Sequence, residues 1–67
     1  MKADLRTQIR HGAVLGNRRF RSAQTIAEHS GYSLHTVRVT LREMERRGEV
    51  EVKRGVGRVK KVYRRSR

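Results

Sequence analysis

The start of the chain carries hydrophobic residues at helical spacing. Leu5 and Ile9 lie four positions apart and follow Asp4, a residue type that often caps helix N-termini. The pattern predicts a first helix that runs to about residue 14 or 15, either of which would complete its buried stripe. Gly12 interrupts the stripe and leaves an earlier end of the helix open.

A second helical segment covers residues 23–30. Ser22 precedes it as an N-cap, and Ile26 and Ala27 are its expected core-facing residues. Gly31 follows it, and glycine adopts at little cost the left-handed conformation that ends many helices. We therefore predict that the second helix stops at Gly31.

A third and longer helix is predicted from its N-cap, Ser33, to about Arg47, where Gly48 ends it. Four apolar residues recur at three- and four-residue spacing and form one face: Leu34, Val37, Leu41 and Met44. Five others lie largely away from that face: His35, Thr36, Val39, Thr40 and Glu43. Two threonines, a valine and a histidine favour a contact surface, with a solvated helix face as the simpler alternative.

After Gly48 the hydrophobic period changes from that of a helix to that of a strand. Residues 49–54 alternate, with Val50 and Val52 on the expected core side. Residues 54–57 contain two glycines and predict a hairpin tip. Residues 58–64 then predict a returning strand with Val59 and Tyr63 facing inward. Val62 does not share their parity, which leaves open a bulge or a bend of the tail away from the sheet.

A short extended segment is also predicted before the second helix. Gly16 and Asn17 indicate a turn, and residues 18–21 would extend beyond it with Phe20 turned inward. The expected fold class is α+β, a winged arrangement of three helices followed by a two-stranded β-hairpin that packs on the third helix. A short extra strand near Phe20 remains open.

The order of elements between residues 25 and 41 is that of a helix-turn-helix. Ala27 stands where a second helix crosses closely, Gly31 turns the chain and Ser33 opens the next helix. The chain resembles the winged helix-turn-helix proteins. It is most similar to the DNA-binding domain of GntR-type bacterial regulators, on the run Ser33-x-x-Thr36-Val37-Arg38-x-x-Leu41.

This resemblance implies a winged helix domain over residues 1–64, a basic tail at residues 65–67 and a small transcriptional regulator of bacterial or phage type. Ser33 and Thr36 would contact phosphate or base, Arg38 would probe the major groove and Val37 would be buried. Residues 55–57 match the Gly-x-Gly tip that such domains hold beside the minor groove.

Two positions depart from the family pattern. Leu34 stands where such regulators often place a base-reading arginine, and Ser30 stands where they usually place a buried leucine.

Charge points to a polyanionic partner. Eighteen basic and six acidic residues give a net charge of +12, which opposes compaction in a chain of 67 residues. Residues 1–31 carry a net +4, residues 32–51 are neutral and residues 52–67 carry +8. Within the neutral segment we expect surface ion pairs of Glu43, Glu45, Glu49 and Glu51 with Arg42, Arg46, Arg47 and Lys53.

Three groups of residues are expected to contact DNA, in the grooves or at the phosphates. The recognition helix would use Ser33, His35, Thr36, Arg38, Val39, Thr40 and Arg42. The wing would use Arg54, Gly55, Gly57, Arg58 and Lys60. Further phosphate contacts would come from Arg18, Arg19, Arg21, Ser22 and Lys61, with Arg64, Arg65 and Arg67 adding to them.

Other kinds of site find little support in the sequence. The chain has no cysteine, and its three histidines lack metal-ligand spacing, so we expect neither a metal nor another cofactor. No pairing of carboxylates or nucleophiles suggests an enzyme. The longest apolar run, residues 13–15, is too short for a membrane span. We expect no membrane partner, and a place in the cytoplasm on the nucleoid.

Two other functions stay open. The same basic surfaces would suit structured RNA, although three aromatic residues are few for a base-stacking platform. A protein-interaction module is the other, with Val39 and Leu34 as an apolar contact. On double-stranded DNA, one small module gains tight specific binding through a homodimer or cooperative assembly.

Overall fold

The computed structural model describes residues 4–66. They form three α-helices and a three-stranded antiparallel sheet, so the fold is α+β. The elements are α1 (Leu5–Arg10), β1 (Arg21–Ser22), α2 (Ala23–Ser30), α3 (Leu34–Arg46), β2 (Val50–Arg54) and β3 (Lys61–Arg65). The strand order is β1-β3-β2, which places β3 at the centre of the sheet.

Helix α1 begins as predicted but is shorter. The Asp4 carboxylate accepts a hydrogen bond from the Thr7 amide at 2.8 Å and caps the helix. The helix ends at Arg10 because Gly12, at φ +75°, forms a C-terminal cap in which the Ala13 amide donates to the Gln8 carbonyl at 2.9 Å. The predicted extension to residue 14 or 15 is therefore wrong. Residues 14 and 15 still reach the core, from the connection that follows.

Helices α2 and α3 confirm the predicted bounds to within a residue. Each begins with a serine whose hydroxyl accepts from the amide of a threonine three residues on, at 3.2 Å in both helices. Gly31, at φ +77°, ends α2, and Gly48, also at φ +77°, follows the end of α3. Local sequence therefore fixes both ends of both helices.

The hairpin of β2 and β3 differs from the prediction on its returning side. Val50 is buried and Val52 half-buried, and Tyr63 is buried, all as predicted. The strand begins at Lys61, however, and Val59 is 39% exposed, so its predicted inward position is wrong. Val59 belongs instead to a loop that is closed by the Gly55 amide donating to the Lys60 carbonyl at 3.1 Å.

Strand β1, which adds a third strand to the sheet beside the β2–β3 hairpin, begins directly after Phe20. Strand β1 pairs with β3, with Arg21 opposite Tyr63 and Ser22 opposite Val62. Because neighbouring residues of an extended chain face opposite sides, Arg21 shares the inner side of Tyr63 and Phe20 faces outward. Phe20 is half-buried on the outer surface, and the predicted inward position is wrong.

One core joins the helices to the inner face of the sheet. Its members are Leu5, Ile9, Val14, Leu15, Ile26, Val37, Leu41, Met44, Val50 and Tyr63. Leu34, predicted to share the apolar face of α3, is only half-buried at the edge of this core. Ser30 is buried, and its hydroxyl accepts from the Tyr32 amide at 3.2 Å, so this polar residue supports the turn after α2.

Three glutamates form ion pairs across elements. Glu43 pairs with Arg6 and Glu51 with Arg64, and the Glu49 carboxylate lies 2.7 Å from Nε of Arg10. The expectation of pairs between sequence neighbours is wrong for these three glutamates. Folding brings α1 against the end of α3 and β3 against β2, and these tertiary contacts select the partners.

Arg65 is part of the sheet. It ends β3, its amide donates to the Gly16 carbonyl at 2.7 Å, and its Nη1 donates to the Arg10 carbonyl at 2.6 Å. Its guanidinium also lies beside Gly12, where an added Cβ would be 3.3 Å from Cζ. The predicted boundary of the domain at residue 64 stays a prediction, and Arg67 lies outside the described residues.

Candidate nucleic-acid interface

The exposed face of α3 carries a row of arginines. Arg38, Arg42 and Arg46 recur every four residues, and all three are exposed. Within residues 4–66 none of them forms an ion pair or hydrogen bond. Val39, 45% exposed, lies beside them. The opposite side of the helix is buried in the core, so this face is held outward by packing.

The hairpin loop at residues 55–60 is a second basic element. Gly55 is required there because a Cβ would lie 2.4 Å from the Val59 carbonyl oxygen. The Val59 amide also donates to the Val56 carbonyl at 3.3 Å and closes the tip into a turn. Val56 at this tip is 90% exposed, and Arg58 and Lys60 are exposed near it. The loop is thus an ordered projection with cations beside an apolar tip.

A groove of about 540 Å³ separates the arginine row of α3 from this loop. The start of α2 and strand β3 form its other walls. Within residues 4–66, five cationic side chains line it: Arg38, Arg42, Arg58, Lys60 and Lys61. Glu45 is the only acidic residue among the described residues that line it, which leaves a net charge of +4. Clefts lined by one sign of charge attract ligands of the opposite sign.

Tyr63 is the most buried residue that lines the groove. It is 9% exposed, and its hydroxyl forms no hydrogen bond with another residue of the described range 4–66. Burial, aided by the charge of Glu45, raises the pKa of Tyr63, while Arg38 and Arg42 act in the opposite direction. A raised pKa keeps the phenol protonated at neutral pH, so its O–H is a hydrogen-bond donor.

Two of the predicted contact residues act as helix caps. The Ser33 hydroxyl accepts from the Thr36 amide and donates to the Thr36 hydroxyl at 2.9 Å. The Ser22 hydroxyl accepts from the Thr25 amide and shares a second bond with the Thr25 hydroxyl at 3.0 Å. The lone proton of the Ser33 hydroxyl is therefore already used, whereas Thr36 keeps its own proton for a partner.

The predicted residues divide between the two faces of the sheet. Arg38, Arg42, Arg58, Lys60, Lys61 and Ser22 line the groove beside α3. Arg18, Arg19, Arg54 and Gly55 line a second, more open groove of about 560 Å³ on the outer face, together with Phe20. Ser22 also reaches that outer groove.

The remaining predicted residues line neither groove. His35, Thr36 and Val39 are exposed on α3, and Thr40 is half-buried there. Gly57, with φ +66°, is exposed in the hairpin loop, and Arg21 is half-buried on the inner side of β1.

Comparison with known proteins identifies no relative. No protein-family model, no curated protein and no solved structure matches this chain. The function must therefore be argued from the residues and their arrangement.

The outer groove has a cationic rim that is tied to the fold. Lys53 Nζ lies 4.3 Å and Arg64 Cζ 4.5 Å from the centre of the Phe20 ring, distances typical of cation–π contacts. Arg64 also pairs with Glu51, and its Nη1 donates to the Arg18 carbonyl at 3.4 Å. These contacts occupy Arg64 and Lys53, in contrast to the cations of the groove beside α3.

Sequence reasoning missed three features of the interface. Arg46 extends the arginine row, and its spacing of four residues from Arg42 was a usable signal. Val56 projects from the loop, and Tyr63, whose hydroxyl has no hydrogen-bond partner within residues 4–66, lines the groove. No local pattern signals the last two, because both depend on how the hairpin packs against α3.

Residues 4–66 contain neither a metal-binding cluster nor a membrane-spanning helix. Across residues 4–66 no three histidine, aspartate or glutamate side chains come together in a way that would hold a metal ion. No helix among these residues has the length and hydrophobicity needed to cross a bilayer.

Proposed function

We propose that this protein binds double-stranded DNA, with α3 in the major groove and the loop at residues 55–60 at the minor groove. The observation that carries the proposal is the groove between these two elements, whose five cations have no ion-pair partner among the described residues. The three paired glutamates engage Arg6, Arg10 and Arg64, which lie outside it. The arginines that form ion pairs within the fold are thus different residues from the cations that line the groove and are available to a polyanion.

The dimensions of α3 suit a major groove. Its 13 residues span about 20 Å, and the major groove of B-form DNA admits one α-helix. Arg38 and Arg42 are long enough to reach guanine O6 and N7, and Val39 and the methyl group of Thr40 suit thymine methyls. His35 and Thr36 lie at the N-terminal end, from which recognition helices commonly contact bases.

The resemblance to winged helix-turn-helix domains supports this orientation. Helix α2, the turn at Gly31 and helix α3 follow in the order of that motif, and the β2–β3 hairpin follows α3 as a wing would. Leu34, where GntR-type regulators often have a base-reading arginine, is half-buried and lines the groove. Base reading is therefore assigned to Arg38 and Arg42, and the proposed role is that of a small transcriptional regulator.

Phosphate contacts would supply most of the affinity. We assign them to Arg58, Lys60 and Lys61 in the groove. Arg18 and Arg19, which line the outer groove, and Arg21, which lines neither groove, would add phosphate contacts outside it, near the start of α2. Ser22 caps that helix, whose N-terminal amides favour anions. Arg54 would contribute from the hairpin, and Gly55 and Gly57 would let the loop approach the backbone closely.

A competition experiment tests the proposal. A labelled 20-base-pair duplex is bound at moderate salt and then challenged with the same duplex unlabelled, duplex RNA, heparin and an acidic protein. The proposal predicts that duplex DNA competes best. Equal competition by heparin would contradict sequence-specific DNA binding, and stronger competition by duplex RNA or by the acidic protein would favour the RNA-binding or protein-interaction alternative.

A single module of this size needs help to bind tightly. One small DNA-binding module buries roughly 600–1,000 Å² of protein surface. We therefore propose a homodimer or cooperative assembly on DNA, and sedimentation of the protein with duplexes of one and two sites would measure it.

A further inference from the structure

Tyr63 combines a ring that packs in the core with a hydroxyl that is available to a partner from outside. Its ring belongs to the core, 9% exposed, yet its hydroxyl forms no hydrogen bond with any other residue in the described range 4–66. The hydroxyl oxygen itself is accessible to solvent, since the buried side-chain polar atoms without a partner in residues 4–66 are Glu49 Oε2 and Arg65 Nε. The side chain lines the cationic groove, so the unused donor is accessible from there.

The surroundings of this hydroxyl suit an anion. Arg38 and Arg42 on α3 are close enough to influence the Tyr63 phenol electrostatically, and Lys61 lines the groove beside them. The first turn of α2 forms the opposite wall, where helix amides carry a partial positive charge. Glu45 is the one acidic side chain among the described lining residues, so the balance around the hydroxyl is positive.

We propose that the Tyr63 hydroxyl donates a hydrogen bond to one backbone phosphate of the bound duplex, at a site completed by Arg38, Arg42, Lys61 and the start of α2. The proposal rests on the proposed DNA binding and goes beyond it, because it assigns the floor of the groove to a single phosphate. The contact fixes the register of α3 on the duplex without reading a base. The phenol is a neutral donor, so its contribution persists at salt concentrations that screen the surrounding cations.

The decisive variant is Tyr63→Phe, which removes the hydroxyl and keeps the ring that fills the core. We expect its urea midpoint to match that of the wild type, since the lost oxygen has no partner in the described part of the protein. Affinity for a 20-base-pair duplex should fall about tenfold, the usual order for a hydrogen bond to a charged group. Tyr32→Phe is the matched control, because Tyr32 does not line the groove. The affinity of this variant for the duplex should equal that of the wild type.

A set of duplexes, each with one phosphate replaced by a neutral methylphosphonate, then locates the contact. Replacement should weaken wild-type binding at each contacted phosphate, but at one of these positions alone Tyr63→Phe should cause no further loss. Two results would overturn this inference and leave the proposed function standing. One is equal duplex affinity of Tyr63→Phe and wild type, and the other is an equal loss from Tyr63→Phe at every methylphosphonate position. Absence of duplex binding by the wild-type protein would instead overturn the proposed function, and the inference with it.

Discussion

At the scale of single residues, the surroundings of an arginine decide whether its charge serves the fold or stays available to a partner. Arg65 donates to the Arg10 carbonyl at 2.6 Å and packs beside Gly12, so its guanidinium is part of the structure. Arg38 and Arg42 are exposed and form no ion pair or hydrogen bond within residues 4–66. The sequence alone assigned all three to DNA, because composition does not distinguish these surroundings.

Replacing Arg65 with alanine should lower stability more than DNA affinity. The variant loses a charge-assisted hydrogen bond and the packing of the guanidinium against α1, a cost of about 2 kcal/mol in the free energy of unfolding. Urea unfolding measures this cost, and fluorescence anisotropy below the unfolding midpoint measures affinity. A large loss of affinity at unchanged stability would show that Arg65 contacts phosphate after all.

Arg38→Ala should reduce sequence preference. A bidentate contact with guanine is worth about 1–3 kcal/mol of discrimination, so the ratio of best to random duplex affinity should fall about tenfold or more. Arg47→Ala is the matched control: it removes one exposed cation at the end of α3 that does not line the groove. The assignment fails if both variants change the ratio equally.

Arg58→Ala should lower the affinity for duplex DNA. It should not change the sequence preference at the bases that α3 contacts. Arg58 lies in the hairpin loop, and the expected loss is uniform across duplexes or larger for A·T-rich flanks, whose narrow minor groove attracts arginine. Binding to duplexes with A·T-rich and G·C-rich flanks checks this. An unchanged affinity on both would remove the loop from the interface.

At the scale of elements, the ends of the helices are determined by neighbouring residues, whereas the contacts between elements depend on residues far apart in the chain. Ser22 and Ser33 with their threonine partners, and the glycines after α2 and α3, are recognisable in the sequence because caps involve residues within one turn. Gly12 ends α1 in the same way, with a left-handed glycine after the helix. The sequence does not reveal this end, because the apolar residues 14 and 15 favour a longer helix.

What the sequence could not supply depends on residues far apart in the chain. The outward Phe20 follows from pairing of β1 with β3, and the exposed Val59 follows from closure of the hairpin loop. For the candidate site, the α3 residues could be predicted from helical spacing. The role of Tyr63 could not, because only tertiary packing places its hydroxyl between α3 and the loop.

The hairpin loop should tolerate no side chain at Gly55. In Gly55→Ala the new Cβ would clash with the Val59 carbonyl, so the loop must shift, at a cost of about 1–3 kcal/mol and with weaker DNA binding. Gly16→Ala is the control, since no atom of residues 4–66 lies within 4 Å of its Cβ position. Thermal unfolding and fluorescence anisotropy are measured on both variants. A melting temperature and a duplex affinity of Gly55→Ala equal to those of the wild type would contradict the loop geometry.

At the scale of the whole molecule, the ion pairs between elements engage Arg6, Arg10 and Arg64, and no carboxylate of residues 4–66 pairs with a cation of the groove. Hydrogen bonding to Arg10 lowers the pKa of Glu49, and the Thr7 amide lowers the pKa of Asp4. Both carboxyl groups therefore hold their protons less tightly in the folded state than in the unfolded state. Their contribution to stability is present above their ordinary pKa values and is lost as pH falls through the lowered ones.

Stability should consequently stay level from about pH 7 to pH 5 and fall below about pH 4. Glu49→Gln should flatten part of this fall, whereas Glu28→Gln, at an exposed position of α2, should not. Thermal unfolding between pH 7 and pH 2.5 is the measurement. A melting temperature that rises on acidification, or identical profiles for Glu49→Gln and wild type, would contradict the assignment.

The salt dependence of duplex affinity tests the central claim most directly. If about six phosphates are neutralised, log affinity should fall against log salt with a slope near −5. Replacing Arg58, Lys60 and Lys61 with alanine should make that slope shallower by about 3, because each lost phosphate contact removes about 0.9. A slope near zero for the wild type, or an unchanged slope in the triple variant, would contradict binding of DNA through this groove.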